Sequence, residues 1–538
     1  MKEKNKKAIS AEDAGIDLDL LRNSEIRDGE FIRYYGKKSD VVIPDEVVAI
    51  AEGAFRGNAY IKNVVLSSNV SVIRADAFRD CKKLRSITLP AGLREIGDDA
   101  FRGCQDLVSM VLPRTTVSLG NGVFRGCSSL KNMVLSVDTL RIGAFAFGDC
   151  ESLEEIVLPE SLEALRRGVF FNCRALKRIT VPQSVHRVSR YAFARCAALE
   201  EIRLSQDMTY LGNGAFSECS SLKSFCVPPK IKFIGDAVFS CCESLEEIEI
   251  PEGVNYIGID AFCNCRRLAK ITLPNALERI GQAAFLRCDS LKEIVIPEGV
   301  TEISKQAFAF CSALQSVEIK ASLSVLQNET FYSCFALQSI ALPDTVLTIG
   351  ERAFCRCVSL SSIRIPRFLQ VIDKYAFAEC RALHSVSLPV TLKRIRDFAF
   401  AECKTLHTML FPNHKTSIGS AVLTGCDQLD VLVVQNLPVF HRRLLEKWDV
   451  PHRAQIILYS DLNLALLFSE MSEPDVLPER KEELKREIKA SLERVRKRNR
   501  LKSIDPIRQN LRRVTQVMGE DLEAEQAIDP ETQEQDSK

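Results

Sequence analysis

The chain has 538 residues, with 72 lysines and arginines against 71 aspartates and glutamates. This balance of charge gives no global sign of a nucleic-acid or membrane partner. The length is too great for one conventional globular core, so the chain needs either several cores or one that grows in a single direction.

The N-terminal segment is charged. Residues 1–30 are predicted to be flexible, with a short helix near Ala11–Leu21. Their basic start is not followed by an apolar run, so the segment lacks the pattern of a secretory signal peptide. Residues 31–43 contain two strand-like pieces around Gly36. We predict that they form an N-terminal cap, because the open end of a stack of repeats needs a covering.

A 23-residue pattern fills residues 44–434 and is clearest in the copy Leu84–Phe101, LRSITLPAGLREIGDDAF. Phenylalanine recurs at this spacing from Phe55 to Phe400. A strict period in this range is the signature of a solenoid. The sequence therefore predicts 17 coils without insertion or deletion.

Each apolar position of the repeat has a structural role. In the copy Leu84–Phe101, Ile87 and Leu89 alternate with polar residues, which predicts a strand. Pro90 ends the strand because it has no N–H to donate, and Gly97 permits a tight turn. One coil cannot bury its apolar side chains alone, but stacked coils bury them in one continuous core.

The pattern C-x-x-L-x-x-I-x-L-P-x-x-L-x-x-I-G-x-x-A-F resembles the BspA-like (Treponema-type) leucine-rich repeats. The resemblance covers roughly three quarters of the chain. It implies an α/β-type repeat solenoid that is curved and carries a parallel β-sheet, in proteins that mostly bind other macromolecules. The best-known members of the family are bacterial surface or secreted proteins.

Cysteine follows the same period, from Cys81 to Cys426. Such a cysteine behaves as a small buried hydrophobe, so we interpret the column as part of the core. The chain has 20 cysteines and no signal-peptide pattern, and we expect reduced thiols in a cytosol. The spacing of Cys263 and Cys265 fits a zinc site poorly.

No set of residues indicates catalysis. His384 and His407 share one column on neighbouring coils, but no matching carboxylate or nucleophile is evident. The sequence contains no phosphate-binding glycine loop, H-E-x-x-H motif, calcium loop or nucleophile elbow. We therefore predict no catalytic residue, no metal site and no cofactor, and a protein that is not an enzyme.

The outward strand positions are the ones that the repeat leaves free to vary. They hold small, bland residues towards both ends of the solenoid and charged residues in its middle. The charged stretch is either a solvated face or a mildly acidic recognition strip for a basic partner. The candidate partner-binding residues are Glu155, Arg178, Glu201, Arg203, Glu247, Glu249, Lys270, Glu293 and Glu318.

The period fades after residue 434. Residues 435–471 are predicted to form a C-terminal cap, residues 472–518 a basic helical extension and residues 519–538 an acidic disordered tail. The basic run of the extension is either a solvated face or a contact for nucleic-acid phosphates. Its residues are Arg494, Arg496, Lys497, Arg498, Arg500 and Lys502.

Together these features predict a non-enzymatic scaffold that binds a protein partner on the strand face. One alternative is an exported or surface adhesin or effector. The other, less favoured, is a nucleic-acid-associated protein acting through the basic helix. No apolar run is long enough to predict a membrane span. Since no signal peptide or anchor is evident either, we expect a cytoplasmic protein, with a surface or secreted location as the alternative.

Overall fold

A computed structural model describes residue 20, residues 22–411, 416–435 and 446–459, and part of the segment 479–490. The chain divides into two compact units, Met1–Ser290 and Leu291–Lys538. Both are stacks of parallel-strand coils, which confirms the predicted solenoid of about 17 turns of 23 residues.

Each regular coil contains two short strands and a return arc. In one coil the strands are Ser109–Val111 and Ser118–Leu119. Met110 is buried between the exposed Ser109 and Val111, because successive side chains of a strand point to opposite faces. The return arc consists of turns, so the solenoid contains little helix.

The strands of the first unit follow this alternation after an opening hairpin. In chain order they are β1 (Ser24–Arg27), β2 (Glu30–Tyr34), β3 (Asp40–Val42), β4 (Ala49–Ile50), β5 (Asn63–Val65), β6 (Val72–Ile73), β7 (Ser86–Thr88), β8 (Glu95–Ile96), β9 (Ser109–Val111), β10 (Ser118–Leu119), β11 (Asn132–Val134), β12 (Arg141–Ile142), β13 (Glu155–Ile156), β14 (Arg178–Thr180), β15 (Arg187–Val188), β16 (Glu201–Arg203), β17 (Tyr210–Leu211), β18 (Ser224–Cys226), β19 (Phe233–Ile234), β20 (Glu247–Glu249), β21 (Tyr256–Ile257), β22 (Lys270–Thr272) and β23 (Arg279–Ile280). After β13 an isolated bridge between Leu165 and Val188 replaces the short strand.

The second unit repeats the same alternation and ends on two longer strands. In chain order its strands are β24 (Glu293–Ile296), β25 (Glu302–Ile303), β26 (Ser316–Ile319), β27 (Val325–Leu326), β28 (Ser339–Ala341), β29 (Thr348–Ile349), β30 (Ser362–Arg364), β31 (Val371–Ile372), β32 (Ser385–Ser387), β33 (Arg394–Ile395), β34 (Thr408–Phe411), β35 (Ser417–Ile418), β36 (Val431–Gln435) and β37 (Gln455–Tyr459). We name each coil by the first of its two strands and count it from two residues before that strand, so that the β9 coil is residues 107–129.

Strands of the same kind pair in parallel from coil to coil, with a register of one period. β9 and β11 pair Ser109 with Asn132 and Val111 with Val134. The short strands β8, β10 and β12 pair in the same way. A column of the sequence repeat is therefore a row of neighbouring side chains in the structure.

The return arc contains two left-handed residues in each regular coil. In the β5 coil these are Asp76, with φ of 56°, and Asp80, with φ of 58°. The N–H of Asp76 donates to the carbonyl of Asp98 on the next coil at 2.9 Å, and that of Asp80 donates to Arg102 at 2.7 Å. These bonds fix the arc to its neighbour and hold the chain in a conformation that non-glycine residues rarely adopt.

The core is built around the phenylalanine column. Phe101 and Phe124 are fully buried, and their ring centroids lie 5.5 Å apart with an interplanar angle of 10°. The same stacking recurs in the second unit, where Phe354 lies 5.3 Å from Phe377. The spacing follows from the strand spacing of about 4.8 Å, and it suits offset packing of aromatic rings.

The cysteine column lies beside the phenylalanines. All 20 cysteines are free thiols, and the column members from Cys81 to Cys426 are buried. Sγ of Cys104 lies 3.2 Å from the carbonyl oxygen of Phe78 on the preceding coil. Burial raises the pKa of the Cys127 thiol to about 12. These thiols are therefore neutral core side chains, as the sequence interpretation had them.

The N-terminal end of the first unit is covered by a hairpin. β1 and β2 pair antiparallel, and β2 pairs in parallel with β4, so the hairpin extends the sheet of short strands. Phe31 of β2 stacks on Phe55 with ring centroids 5.0 Å apart. The hairpin therefore continues the phenylalanine stack. The domain bounds that the sequence predicts, among them the cap at residues 31–43, stay predictions.

Irregular structure follows the last regular coil of the second unit. Trp448 is buried and stacks on Phe411 at 5.8 Å between ring centroids. The carbonyl of Trp448 accepts the N–H of Leu423 at 3.0 Å, which continues the bonding of the return arcs. β37 lies within the segment that the sequence predicts to be a C-terminal cap, and it pairs in parallel with β36. Among the described residues, no helix has the length and apolar character needed to cross a membrane.

Candidate interaction surface

All nine predicted partner-binding residues occupy outward positions of the first strand of a coil and are exposed. Those from Glu155 to Lys270 belong to the first unit, whereas Glu293 and Glu318 belong to the second. Their role in binding a partner stays a prediction. Their neighbours nevertheless show what each charge contacts.

In the first unit these charges alternate in sign from coil to coil, except that none of them lies on the β18 coil. The pairing of β14 with β16 places Arg178 beside Glu201, and the pairing of β20 with β22 places Glu247 beside Lys270. Glu201 also accepts a hydrogen bond of 2.9 Å from Nε of Arg203. Opposite charges on neighbouring strands stabilise a sheet. This alternation favours a stabilising role over a uniformly acidic recognition strip.

The two predicted residues of the second unit lie at one end of its strand face. Glu293 pairs with Ser316 across β24 and β26, and Glu318 lies 3.6 Å from Nζ of Lys320. Such exposed ion pairs contribute little to stability. Beyond them the first outward position of each of these strands holds a small polar residue, such as Ser339.

Sequence reasoning missed a row of exposed valines on the strand face of the first unit. Val111 and Val134 pair across β9 and β11, and Val157 follows β13 on the next coil. Their exposed fractions are 66%, 54% and 84%. The column of valines is visible in the sequence, but valine is also common in strands. Its presence therefore did not indicate that these side chains are exposed.

The apolar surface continues around the corner between the two sheets. Val137 lies in the turn from β11 to β12 and is 65% exposed, and Leu140 at the end of that turn is 57% exposed. The N–H of Leu140 donates to the carbonyl of Val117 at 3.1 Å, so these residues are neighbours on successive coils. We define the valine patch as Val108, Val111, Val117, Val134, Val137, Leu140 and Val157.

Charges of opposite sign border the valine patch on its two sides along the stack. The basic side is formed by Arg85, Arg94 and Arg114. The acidic side, on the β13 coil, is formed by Glu154, Glu155, Glu160 and Glu163. All seven are exposed, and none takes part in an ion pair with another residue that the structure describes.

The histidines of the second unit have a carboxylate partner that the sequence prediction did not include. Nδ1 of His407 lies 3.2 Å from Oδ2 of Asp430, which occupies the same column one coil further on. The rings of His384 and His407 are 6.4 Å apart. Within the described part of the chain, no group of three or more metal-binding side chains has the geometry of a metal site.

The predicted basic helix cannot be placed on this surface. Its six residues lie outside the described residues: Arg494, Arg496, Lys497, Arg498, Arg500 and Lys502. Its proposed contact with nucleic acid therefore stays a prediction.

Comparison with known proteins shows which family of repeats the coil matches. The family model for the BspA type leucine rich repeat region, in six copies, matches residues 24–141, 140–268, 232–358 and 324–442. No curated protein matches the chain.

Several solved structures are similar to this chain. A leucine-rich repeat protein from Bacteroides ovatus is 26% identical over 80% of this chain and 94% of its own, with a TM-score of 0.46. The leucine rich repeat protein of T. pallidum is 33% identical over 36% of this chain and 84% of its own, with a TM-score of 0.29. A leucine rich cell surface protein from Faecalibacterium prausnitzii is 25% identical over 62% of this chain and 89% of its own, with a TM-score of 0.39. The family model matches well over half of the length of this chain. The chain therefore belongs to the family of proteins with a BspA type leucine-rich repeat region.

Proposed function

We propose that this protein is a non-enzymatic scaffold that binds a protein partner on the strand face of its first unit. Leucine-rich repeat proteins generally act as protein-interaction scaffolds and typically lack enzymatic activity. The observation that carries the proposal is the valine patch, since contiguous exposed apolar surface on a folded protein marks an interaction site.

The fold itself does not require valine at these positions. The same outward column holds Thr88 before the patch and Thr180 after it. Threonine is also β-branched and suits a strand as well as valine does, yet it keeps a hydroxyl in contact with water. Valine at Val111, Val134 and Val157 therefore adds only an apolar surface. Covering one such side chain stabilises a complex by about 1.5–3 kcal/mol.

The surroundings of the patch match the anatomy of a protein interface. Apolar residues form most of its centre, with Lys131 and Asp138 among them, and charged residues, including Glu155, form its border. Interfaces between proteins commonly have an apolar core and a polar rim. A nucleic-acid partner is disfavoured on this surface, because phosphate contacts need an excess of positive charge.

The proposed location is the cytoplasm. The 20 free thiols support it, because a reducing compartment keeps cysteines unpaired. A surface or secreted location is the alternative, and cell fractionation with an antibody to the protein distinguishes the two. Recovery in the cytosolic fraction supports the proposal, and recovery at the cell surface contradicts it.

The binding role is tested by replacing valine with threonine in the patch. We expect the triple variant Val111→Thr, Val134→Thr and Val157→Thr to keep its fold, because threonine already occupies this column, and to lose its partner. The measurement is affinity capture from native lysate. The captured proteins, native copies of this chain included, are identified by mass spectrometry and tested again as purified proteins.

A matched control comes from the second unit. Val295 occupies the equivalent outward position there and is 45% exposed. We expect Val295→Thr to capture the same proteins as the unmodified chain. Equal capture by the triple variant, with an unchanged circular dichroism spectrum, would show that the strand face of the first unit is not the binding surface.

A further inference from the structure

We propose that the partner of the valine patch is a second copy of the same chain, and that the two copies form a symmetric dimer with their coils stacked in opposite directions. The inference rests on the proposed function in that both use the valine patch. It goes further by naming the occupant, which the distribution of charge around the patch specifies.

The patch has a basic side and an acidic side along the direction of stacking. Arg85 and Arg94 lie on the β7 coil, and Arg114 lies on the β9 coil. All the charged residues of the other side lie on the β13 coil, where Glu155 and Glu163 occupy opposite ends of the outward surface. The apolar residues of the β9 and β11 coils lie between these sides, and the exposed Lys131, Asp138 and Arg141 lie among them.

A two-fold axis through such a surface makes it complementary to itself. When the axis stands perpendicular to the patch, between the β9 and β11 coils, the β9 coil of one copy faces the β11 coil of its partner. The β7 coil then faces the partner's β13 coil, which brings arginines against glutamates on both sides. An interface of this kind, in which both copies use the same surface, is the commonest form of oligomer.

The axis also reverses the order of positions within a coil, which predicts specific pairs. Arg94 lies next to the short strand β8, whereas Glu155 lies in β13, on the sheet of longer strands. After the rotation, Arg94 faces the partner's Glu155. By the same operation Arg85, which precedes β7, faces the partner's Glu163. Each pair occurs twice in the dimer.

Other occupants satisfy this surface less well. An acidic peptide would neutralise Arg85 and Arg94 but would be repelled by Glu155 and Glu163, and a basic peptide would meet the reverse difficulty. A second copy stacked in the same direction would place arginines against arginines and glutamates against glutamates. Such juxtaposition of like charges costs affinity. Of these arrangements, the antiparallel one pairs Arg85 and Arg94 with glutamates of the partner and also covers the valines between them.

The test uses charge reversal in the full-length chain, with sedimentation velocity over a series of protein concentrations. We expect the unmodified chain to be a dimer that dissociates on dilution. Arg94→Glu and Glu155→Arg should each weaken self-association by roughly tenfold or more, because each reversal acts at two places in the dimer. The double variant Arg94→Glu with Glu155→Arg should regain the dimer, since its paired charges are opposite again.

Mixing the two single variants gives the most specific result. A chain with Arg94→Glu and a chain with Glu155→Arg complement each other at both pairs, so we expect an equimolar mixture to form a heterodimer. This rescue also shows that each variant is folded. As a control, Arg267→Glu reverses an exposed charge of the first unit outside the border of the patch, and it should leave the dimer unchanged.

Three outcomes would overturn the inference. These are a monomer at every concentration, a dimer that neither single reversal weakens, and a mixture of the single variants that stays monomeric. If the chain is monomeric while Val111→Thr, Val134→Thr and Val157→Thr still abolish capture of a different protein, the self-association inference is wrong and the proposed function stands. If the triple variant captures every partner unchanged, the proposed function is wrong.

Discussion

At the scale of single residues, the repeated cysteine acts as a hydrogen-bond donor as well as a core side chain. The carbonyl of Phe78 accepts the N–H of Cys81 at 3.2 Å and lies 3.2 Å from Sγ of Cys104 on the next coil. Both lone pairs of this oxygen are therefore used. An alanine at this position would be small enough for the core but would leave the second acceptor site empty, which explains the thiol in physical terms.

The raised pKa of these thiols predicts a loss of stability at alkaline pH. Burial raises the pKa of Cys127 and Cys196 from an ordinary value of 9.0 to about 12. Below pH 9 the thiols are neutral in both the folded and the unfolded chain. As the pH rises from 9 towards 12, only the unfolded chain releases these protons. The free energy of unfolding therefore falls by about 1.4 kcal/mol per pH unit for each thiol.

Urea denaturation of the reduced protein at pH 8, 9, 10 and 11 measures this loss. A variant with Cys127→Ala and Cys196→Ala serves as the comparison, because its lysines and tyrosines titrate as in the unmodified chain. We expect the variant to be less stable at pH 8 but to lose less stability per pH unit above pH 9. Identical pH dependence in the two proteins would contradict neutral buried thiols.

At the scale of the coil, the sequence predicted the strands and the core but not the return arc. The alternation around Ile87 correctly predicted β7, because burial on one face fixes the phase of a strand. The left-handed residues could not be predicted from residue type. Phe145 and Tyr191 both adopt positive φ although neither favours it. Their conformation is imposed by hydrogen bonds to the next coil, which exist only once the coils have stacked.

The candidate surface was also only partly predictable. The period placed Glu155 and its charged counterparts on the outward face, where the structure has them. It did not show that Arg178 lies beside Glu201, because charge pairing depends on neighbours one coil apart. Asp430 could have been found by adding one period to His407. The valine patch was missed because the exposure of a valine depends on what covers it.

The return arc offers a test of how neighbouring coils fit. Gly168 has φ of +59°, and a Cβ there would lie 2.2 Å from Cε1 of Phe145 on the preceding coil. We expect Gly168→Ala to lower the free energy of unfolding by about 1–3 kcal/mol, the range for strained backbone, with the clash adding to it. The measurement is urea denaturation of the variant against the unmodified chain.

The phenylalanine ring accounts for part of that cost. Adding Phe145→Ala to Gly168→Ala removes the clash and leaves the backbone strain, so the two substitutions should not be additive. We expect Gly168→Ala to cost less in the Phe145→Ala background than in the unmodified chain. Equal costs in both backgrounds would mean that the ring moves freely aside.

At the scale of the whole molecule, the buried columns of the repeat stabilise the coils, whereas the outward positions are the ones proposed to bind a partner. Each coil contacts only its neighbours, so the effect of a core substitution decays along the stack. Phe124 and Phe354 occupy the same column and are both fully buried. Phe124 belongs to the β9 coil, directly beneath the valine patch, whereas Phe354 lies in the second unit. The same substitution at the two sites therefore has the same chemistry but different consequences.

We expect Phe124→Ala and Phe354→Ala each to destabilise their own coils by about 3–5 kcal/mol, because both leave a cavity between stacked rings. Amide hydrogen exchange should accelerate around β9 and β11 in the first variant and around β28 and β30 in the second. Only Phe124→Ala should weaken self-association, since it alone removes support from the valine patch. Equal loss of the dimer in Phe354→Ala would mean either that this substitution also destabilises the coils of the first unit or that the second unit carries an interface of its own. Hydrogen exchange decides between these, because destabilisation of the first unit would also accelerate exchange in the β9 and β11 coils.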